Sequence, residues 1–66
     1  MLTMNEEILE EAKVLAKKML ISGEVTSPIQ SRSGAEIACV STDQSRVLSL
    51  GSFMVEGKTF YLGHRL

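Results

Sequence analysis

The sequence predicts an α+β fold, in which an N-terminal amphipathic helix packs on a three-stranded antiparallel β-meander in the order α-β-β-β. Residues 4–22 carry apolar side chains at helical spacing. Residues 35–62 contain three apolar runs separated by two turn signals. The chain has 66 residues, and we expect residues 1–66 to form one small domain.

The predicted helix spans about residues 4–22. Its apolar stripe recurs at steps of four, three and four, at Ile8, Ala12, Leu15 and Met19. Thr3 with Glu6 fits a capping box at its start. Asn5 is the alternative N-cap, and it would let Met4 and Leu9 form a hydrophobic staple. The same stripe is also compatible with a short coiled-coil seam, although two heptads favour packing on the sheet.

Residues 23–34 are polar and punctuated by glycine and proline, which predicts a loop. Gly23 is placed to end the helix in the left-handed conformation. The stretch from Ser27 to Gln30 has a capping residue followed by Pro28, which fits one helical turn. An irregular connection anchored by Val25 and Ile29 is the favoured alternative. A helix–turn–helix would need a longer second helix than this segment supplies.

The three strands are expected at about residues 35–41, 46–55 and 58–62. Residues 42–45 would join the first two as a four-residue turn. Glu56-Gly57 would join the last two as a two-residue hairpin, because glycine readily adopts the positive φ of such turns. This turn sets Val55 opposite Lys58, and counting onward places Phe53 opposite Phe60.

The apolar pattern changes phase within the second strand. Leu48 and Leu50 are even-numbered, whereas Phe53 and Val55 are odd-numbered, so a regular strand would point the two pairs to opposite faces. A glycine inside a strand pattern indicates a bulge, and we predict a β-bulge near Gly51-Ser52. It would place eight residues on the face that the helix covers: Ile37, Cys39, Leu48, Leu50, Phe53, Val55, Phe60 and Leu62.

The opposite face of the predicted sheet is half apolar. It would carry Val40, Val47, Met54 and Tyr61, interspersed with serine and threonine. A small domain has a small core, and a half-apolar face is typical of a contact surface. We therefore predict a non-enzymatic protein-interaction module that acts as a homodimer or as a subunit of a larger assembly, with these residues as its interface.

Few residues suggest chemistry. Cys39 is the only cysteine, so an internal disulfide is excluded. His64 is the only histidine, so the chain has two soft ligands, whereas a structural zinc site normally uses four. We therefore expect neither metal nor cofactor. Cys39 is expected to pack as a small hydrophobe. The chain contains no Gly-x-Gly-x-x-Gly, P-loop or Cys-x-x-Cys pattern. An enzyme is expected only if the chain is a fragment or completes its site across a subunit interface.

Charge and hydropathy limit the partners. The net charge is −1, and the basic residues are scattered. A nucleic-acid-binding regulator of the phage or plasmid type is the alternative, and it would bring phosphates to Arg32, Arg46, Lys58 and Arg65. No apolar run reaches the roughly 18 residues of a membrane span, and the acidic N-terminus is unlike a signal peptide. We expect a cytoplasmic location without membrane contact.

Residues 8–51 include a helix, a Ser-Pro loop and the segment GAEIACVSTDQSRVLSLG. This order resembles the opening of the zinc-dependent cytidine deaminases, which begin with a helix and a hairpin led by Gly-Ala. The resemblance does not extend to the metal motifs, because the chain has neither a His/Cys-x-Glu nor a Pro-Cys-x-x-Cys sequence. It therefore implies no zinc binding, and no residue role is carried over from that family.

Overall fold

The computed structural model describes residues 6–66 of the chain, with side chains from residue 8 onward. The helix α1 spans Glu6–Ser22 and is followed by four strands: β1 Thr26–Gln30, β2 Glu36–Ser41, β3 Val47–Val55 and β4 Lys58–Arg65. The strands form one antiparallel sheet in the order β1-β2-β4-β3. The predicted α+β class, with a helix packed on an antiparallel sheet, is confirmed.

The apolar stripe of α1 packs on one face of the sheet, which we call the helix face. Ala12, Ala16 and Met19 are buried in this core, and Ile8 and Leu15 pack against it. The stripe is thus occupied by the chain's own sheet rather than by a coiled-coil partner. Gly23 ends the helix as predicted, with φ at 78° and its N–H donating to the Met19 carbonyl at 2.8 Å. The predicted caps Thr3 and Asn5 lie outside the described residues.

The main addition to the predicted fold is strand β1, which lies within the expected loop of residues 23–34. The segment forms neither a helical turn nor an irregular connection. It pairs with β2 at the edge of the sheet, and Ile29 is buried opposite Ala38. Proline is tolerated in an edge strand where its nitrogen faces away from the neighbouring strand. The strand was not predicted because its segment is short and polar, contains Pro28 and has only one large buried apolar side chain.

The strand order also differs from a simple meander. β2 pairs with β4, with Val40 opposite Leu62, instead of forming a hairpin with β3. β4 is longer than expected, because it continues past residue 62 to Arg65. Residues 42–46, including a 3-10 turn at Gln44–Arg46, carry the chain past β4 to the far edge of the sheet. Since β2 and β3 are both antiparallel to β4, they run in the same direction.

This pairing fixes which side of β2 enters the core. Cross-strand partners point to the same face of a sheet, so Val40 shares the helix face with Leu62, and Ala38 shares it with Ile29. The prediction that Ile37 and Cys39 pack against the helix was therefore wrong. It placed Ile37 and Cys39 in the core, whereas the pairing of β2 places Ala38 and Val40 there.

The β3–β4 hairpin follows the prediction. Val55 lies opposite Lys58 and Phe53 opposite Phe60. The two phenylalanine rings are stacked, with centroids 5.8 Å apart and planes inclined by 20°. Such cross-strand aromatic pairs stabilise a sheet by several tenths of a kcal/mol. Phe60 is buried in the core, and Phe53 packs against it.

The predicted bulge is present one residue earlier than expected. Ser49 lies opposite Gly63 and Gly51 opposite Leu62, so Leu50 is the extra residue. Beyond the bulge, the odd-numbered residues Phe53 and Val55 point to the helix face. The prediction that Leu48 and Leu50 also pack under the helix was wrong. Both are exposed, because the helix does not cover this end of β3.

Gly63 occupies a position in β4 where a side chain cannot fit. A Cβ built there would collide with the carbonyl oxygen of Leu48 and lie 2.9 Å from the Cα of Ser49. We predict that Gly63→Ala lowers the free energy of unfolding by about 3 kcal/mol, because overpacking against backbone forces the strands apart. Urea denaturation followed by circular dichroism measures this loss.

Gly57→Ala is the matched control for this substitution. Gly57 has φ at 80° and open space around the added Cβ. This variant carries only the left-handed backbone penalty, about 1–2 kcal/mol. Equal losses for the two variants would contradict the close approach of β3 and β4 at Gly63.

Candidate interaction surface

β3 forms one edge of the sheet and is unusually poor in features that protect an edge. Its nine residues, Val47–Val55, include no charged side chain. Leu48, Leu50 and Met54 are exposed on it. Soluble proteins normally blunt such edges with lysine, proline, short strands, bulges or a covering segment. Among the residues that the structure describes, the bulge is the only one of these devices found on β3.

The other edge of the sheet is protected. β1 has five residues, and Pro28 lies in the middle of it. Because proline carries no N–H, the outward side of β1 lacks a donor that an added strand would require. The two edges therefore differ in chemistry, and β3 is the one suited to pairing.

The hairpin turn determines which backbone groups of β3 face outward. Glu56 and Gly57 have φ of 50° and 80°, as in a two-residue type I′ turn. Residues that flank such a turn exchange hydrogen bonds, and bonded and non-bonded pairs then alternate along the ladder. Val55 is thus bonded to β4, whereas the N–H and C=O groups of Met54 and Ser52 point away from it.

The structure separates the four residues predicted from the sequence to form the interface. Val40 is 0% exposed in the helix-face core, and Val47 is 3% exposed. Met54 is 64% exposed and Tyr61 is half-buried. Met54 lies opposite Thr59 and Tyr61 opposite Ser52, so Met54 and Tyr61 are diagonal neighbours on the second face, the face away from the helix. Two of the four residues are thus brought together.

Leu48 and Leu50 are surface residues that the sequence reasoning assigned to the core. Their alternation suggested burial, and the bulge was expected to place them under the helix. The signal that identifies them is the absence of charge from residues 47 to 55. In a strand buried on both sides this absence is ordinary, but at the edge of a sheet it leaves apolar side chains beside unpaired backbone.

The connection between β2 and β3 is ordered by local hydrogen bonds. Ser41 is fully buried, and its Oγ donates to the carbonyl of Asp43 and accepts from the N–H of Asp43, both at 3.0 Å. The Asp43 carboxylate in turn accepts from the N–H of Ser45 at 2.9 Å and from its Oγ at 2.7 Å. These bonds fix the conformation of the chain between the end of β2 and the start of β3.

Cys39 and His64 do not form a catalytic pair. Cys39 lies opposite Gly63, so His64 is on the adjacent position of β4 and points to the opposite face. Burial raises the pKa of the Cys39 thiol, and the neighbouring Arg65 guanidinium only partly opposes this effect. Cys39 is therefore held as the neutral thiol, which is neither a nucleophile nor a metal ligand.

The basic residues considered for phosphate binding do not share one surface. Arg46 Nε lies 3.5 Å from Asp43 Oδ2. Arg65 binds Glu36 through two donors, with Nη2 3.0 Å from Oε1 and Nε 3.3 Å from Oε2. Lys58 begins β4 at the hairpin, at the opposite end of that strand from Arg65. Two of the four cations are thus already paired with carboxylates.

Two small cavities lie at the surface of the structure. One of about 130 Å³ lies between the end of α1, the segment that follows it and the start of β4. Another of about 280 Å³ is lined by polar groups around Arg46 and Arg65. Small-molecule sites usually occupy roughly 300–1,000 Å³. Among the side chains of residues 8–66, no group of three His, Cys, Asp or Glu is placed to hold a metal ion. Over residues 6–66, no helix is long and apolar enough to cross a membrane.

Comparisons with protein families, with curated proteins and with solved structures found no match to this chain.

The burial of Cys39 gives a direct test of the structure. We predict that a thiol reagent modifies the native chain at pH 8 at least 100-fold more slowly than it modifies the chain in urea, because the thiol is enclosed and its pKa is raised. Ellman's assay with and without denaturant measures the two rates. Immediate and complete modification of the native chain would show that Cys39 faces solvent.

Proposed function

We propose that this chain is a small, non-enzymatic protein-interaction module that binds an extended segment of a partner along the edge of β3. The observation that carries the proposal is the uncharged edge strand, with Leu48, Leu50 and Met54 exposed beside its unpaired backbone groups. An added strand would take its affinity from main-chain hydrogen bonds and its specificity from alternate side chains. The single unpaired thiol fits a reducing compartment, and we propose the cytoplasm as the location.

The two faces of β3 would make different contributions to binding. On the second face, Met54 and Tyr61 form an apolar pair next to the edge. On the helix face, Phe53 is half-buried against the core, so one side of its ring is open to a neighbouring strand. A partner strand with an apolar residue on each face would cover both. The proposed surface keeps Met54 and Tyr61 from the predicted interface. It contains Phe53 and the exposed leucines in place of Val40 and Val47.

Met54→Lys tests the role of the edge. We expect the substitution to weaken binding of a fluorescein-labelled peptide with the β3 sequence VLSLGSFMV, flanked by solubilising lysines, by at least tenfold. The reason is that a lysine on an edge strand desolvates unfavourably when another strand pairs with it. Fluorescence anisotropy measures the affinity. Because Met54 is mostly exposed, the free energy of unfolding should change by no more than about 0.5 kcal/mol.

Ile21→Lys is the control, since it makes the same kind of change at an exposed apolar residue on α1, where the side chain is 89% exposed. It should leave peptide binding unchanged. Absence of saturable binding to the wild-type chain at concentrations where it is monomeric, or an equal loss for both variants, would contradict the proposal.

A further inference from the structure

We infer that the segment bound by the β3 edge is β3 of a second copy of this chain, paired antiparallel about a two-fold axis at Phe53. The inference rests on the proposed function, because it uses the same edge, and it names the partner and the register. It follows from which backbone groups face outward, from the position of the bulge, from the chemistry of the strand and from the protection of the opposite edge.

The backbone restricts symmetric pairing to a few registers. In a continuous antiparallel sheet, paired residues point to the same face and outward-facing residues bond to outward-facing residues. The outward residues of the regular part of β3 are Ser52 and Met54. Two copies related by a two-fold axis through the sheet can therefore be centred on Ser52, on Phe53 or on Met54.

The bulge and the turn exclude two of these registers. Centring on Ser52 would place Met54 opposite the partner's Leu50, which is the extra residue of the bulge. Centring on Met54 would place Ser52 opposite the partner's Glu56, which lies in the turn with φ at 50° and is not extended. Centring on Phe53 pairs Ser52 with the partner's Met54, and Met54 with the partner's Ser52. Each of these pairs exchanges both N–H···O=C bonds.

The side chains agree with the register centred on Phe53. Phe53 would face the partner's Phe53 at a position without hydrogen bonds, where side chains across a ladder come closest. The stack of Phe53 on Phe60 would then continue into the same stack of the partner. On the second face, Met54 would lie beside the partner's Ser52. Because Val47–Val55 is uncharged, two copies meet without like-charge repulsion.

The opposite edge explains why association would end at two copies. An isologous contact between two β3 strands uses the same edge of both sheets and closes on itself. Further growth would have to start from β1, which is short and where Pro28 removes a donor. The expected particle is therefore a dimer with one continuous eight-stranded sheet, of twice the 7.2 kDa mass of the chain.

Disulfide trapping with Ser52→Cys and Met54→Cys chains tests the register. Opposed residues of a bonded antiparallel pair have Cα atoms about 5.5 Å apart, which is within the range of a disulfide. When the two variants are mixed and mildly oxidised, we expect the mixed dimer, with one chain of each variant, to exceed either homodimer at least fivefold by mass spectrometry. The wild-type chain, whose Cys39 is buried, is the control and should remain uncross-linked.

Three outcomes would overturn the inference. A dominant Ser52→Cys homodimer would centre the pairing on Ser52, and a dominant Met54→Cys homodimer would centre it on Met54. A wild-type chain that light scattering finds monomeric at about 200 µM, with no disulfide in any mixture, would exclude the homodimer. If such a monomer still binds the β3 peptide and Met54→Lys weakens that binding, the proposed function stands and only the second copy is rejected. If it does not bind the peptide, both fail.

Discussion

The insertion of β4 between β2 and β3 is the constraint on which the rest of this structure depends. β4 pairs with β2 along one side and with β3 along the other. Its helix-face residues Phe60 and Leu62 are at the centre of the core, where Val40, Val55 and α1 meet them. Its Gly63 lets β3 approach closely where a side chain would collide with the Leu48 backbone. Without these two pairings, neither β2 nor β3 would have a fixed inward face.

The position of β4 has a consequence for β3. Because β4 occupies the place next to β2, the longest strand of the sheet, which carries no charged side chain, is moved to the edge. In the three-stranded meander predicted from the sequence, the strand that corresponds to β3 would have been central, with a neighbour on each side. The exposure of Leu48, Leu50 and Met54 beside unpaired backbone is therefore a result of strand order as well as of composition. The surface that we propose for partner binding is exposed because β4, rather than β3, pairs with β2.

The parts of the fold and of the candidate surface that sequence reasoning predicted are those determined locally. The turn at Glu56-Gly57 specifies the β3–β4 register by counting, and this register alone places Met54 and Tyr61 on one face. Strand β1 was not predicted because Pro28 disfavours a strand in the local sequence. Proline is compatible with β1 because this strand lies at the edge of the sheet. Val40 was misplaced because its face depends on a partner in the distant β4. Local periodicity therefore identifies which residues share a face, whereas only the tertiary pairing decides which face is covered.

The bulge at Leu50 limits what the exposed edge can bind. A long, flat and uncharged edge strand is a template for open-ended aggregation, and β3 has the composition for it. By displacing Leu50, the bulge divides the strand, so that its regular outward backbone beyond that point is confined to the segment before the hairpin turn. That segment is long enough for the short symmetric pairing that we infer around Phe53. The same bulge that brings Phe53 and Val55 onto the helix face thus shortens the part of the β3 edge that an added strand can pair with.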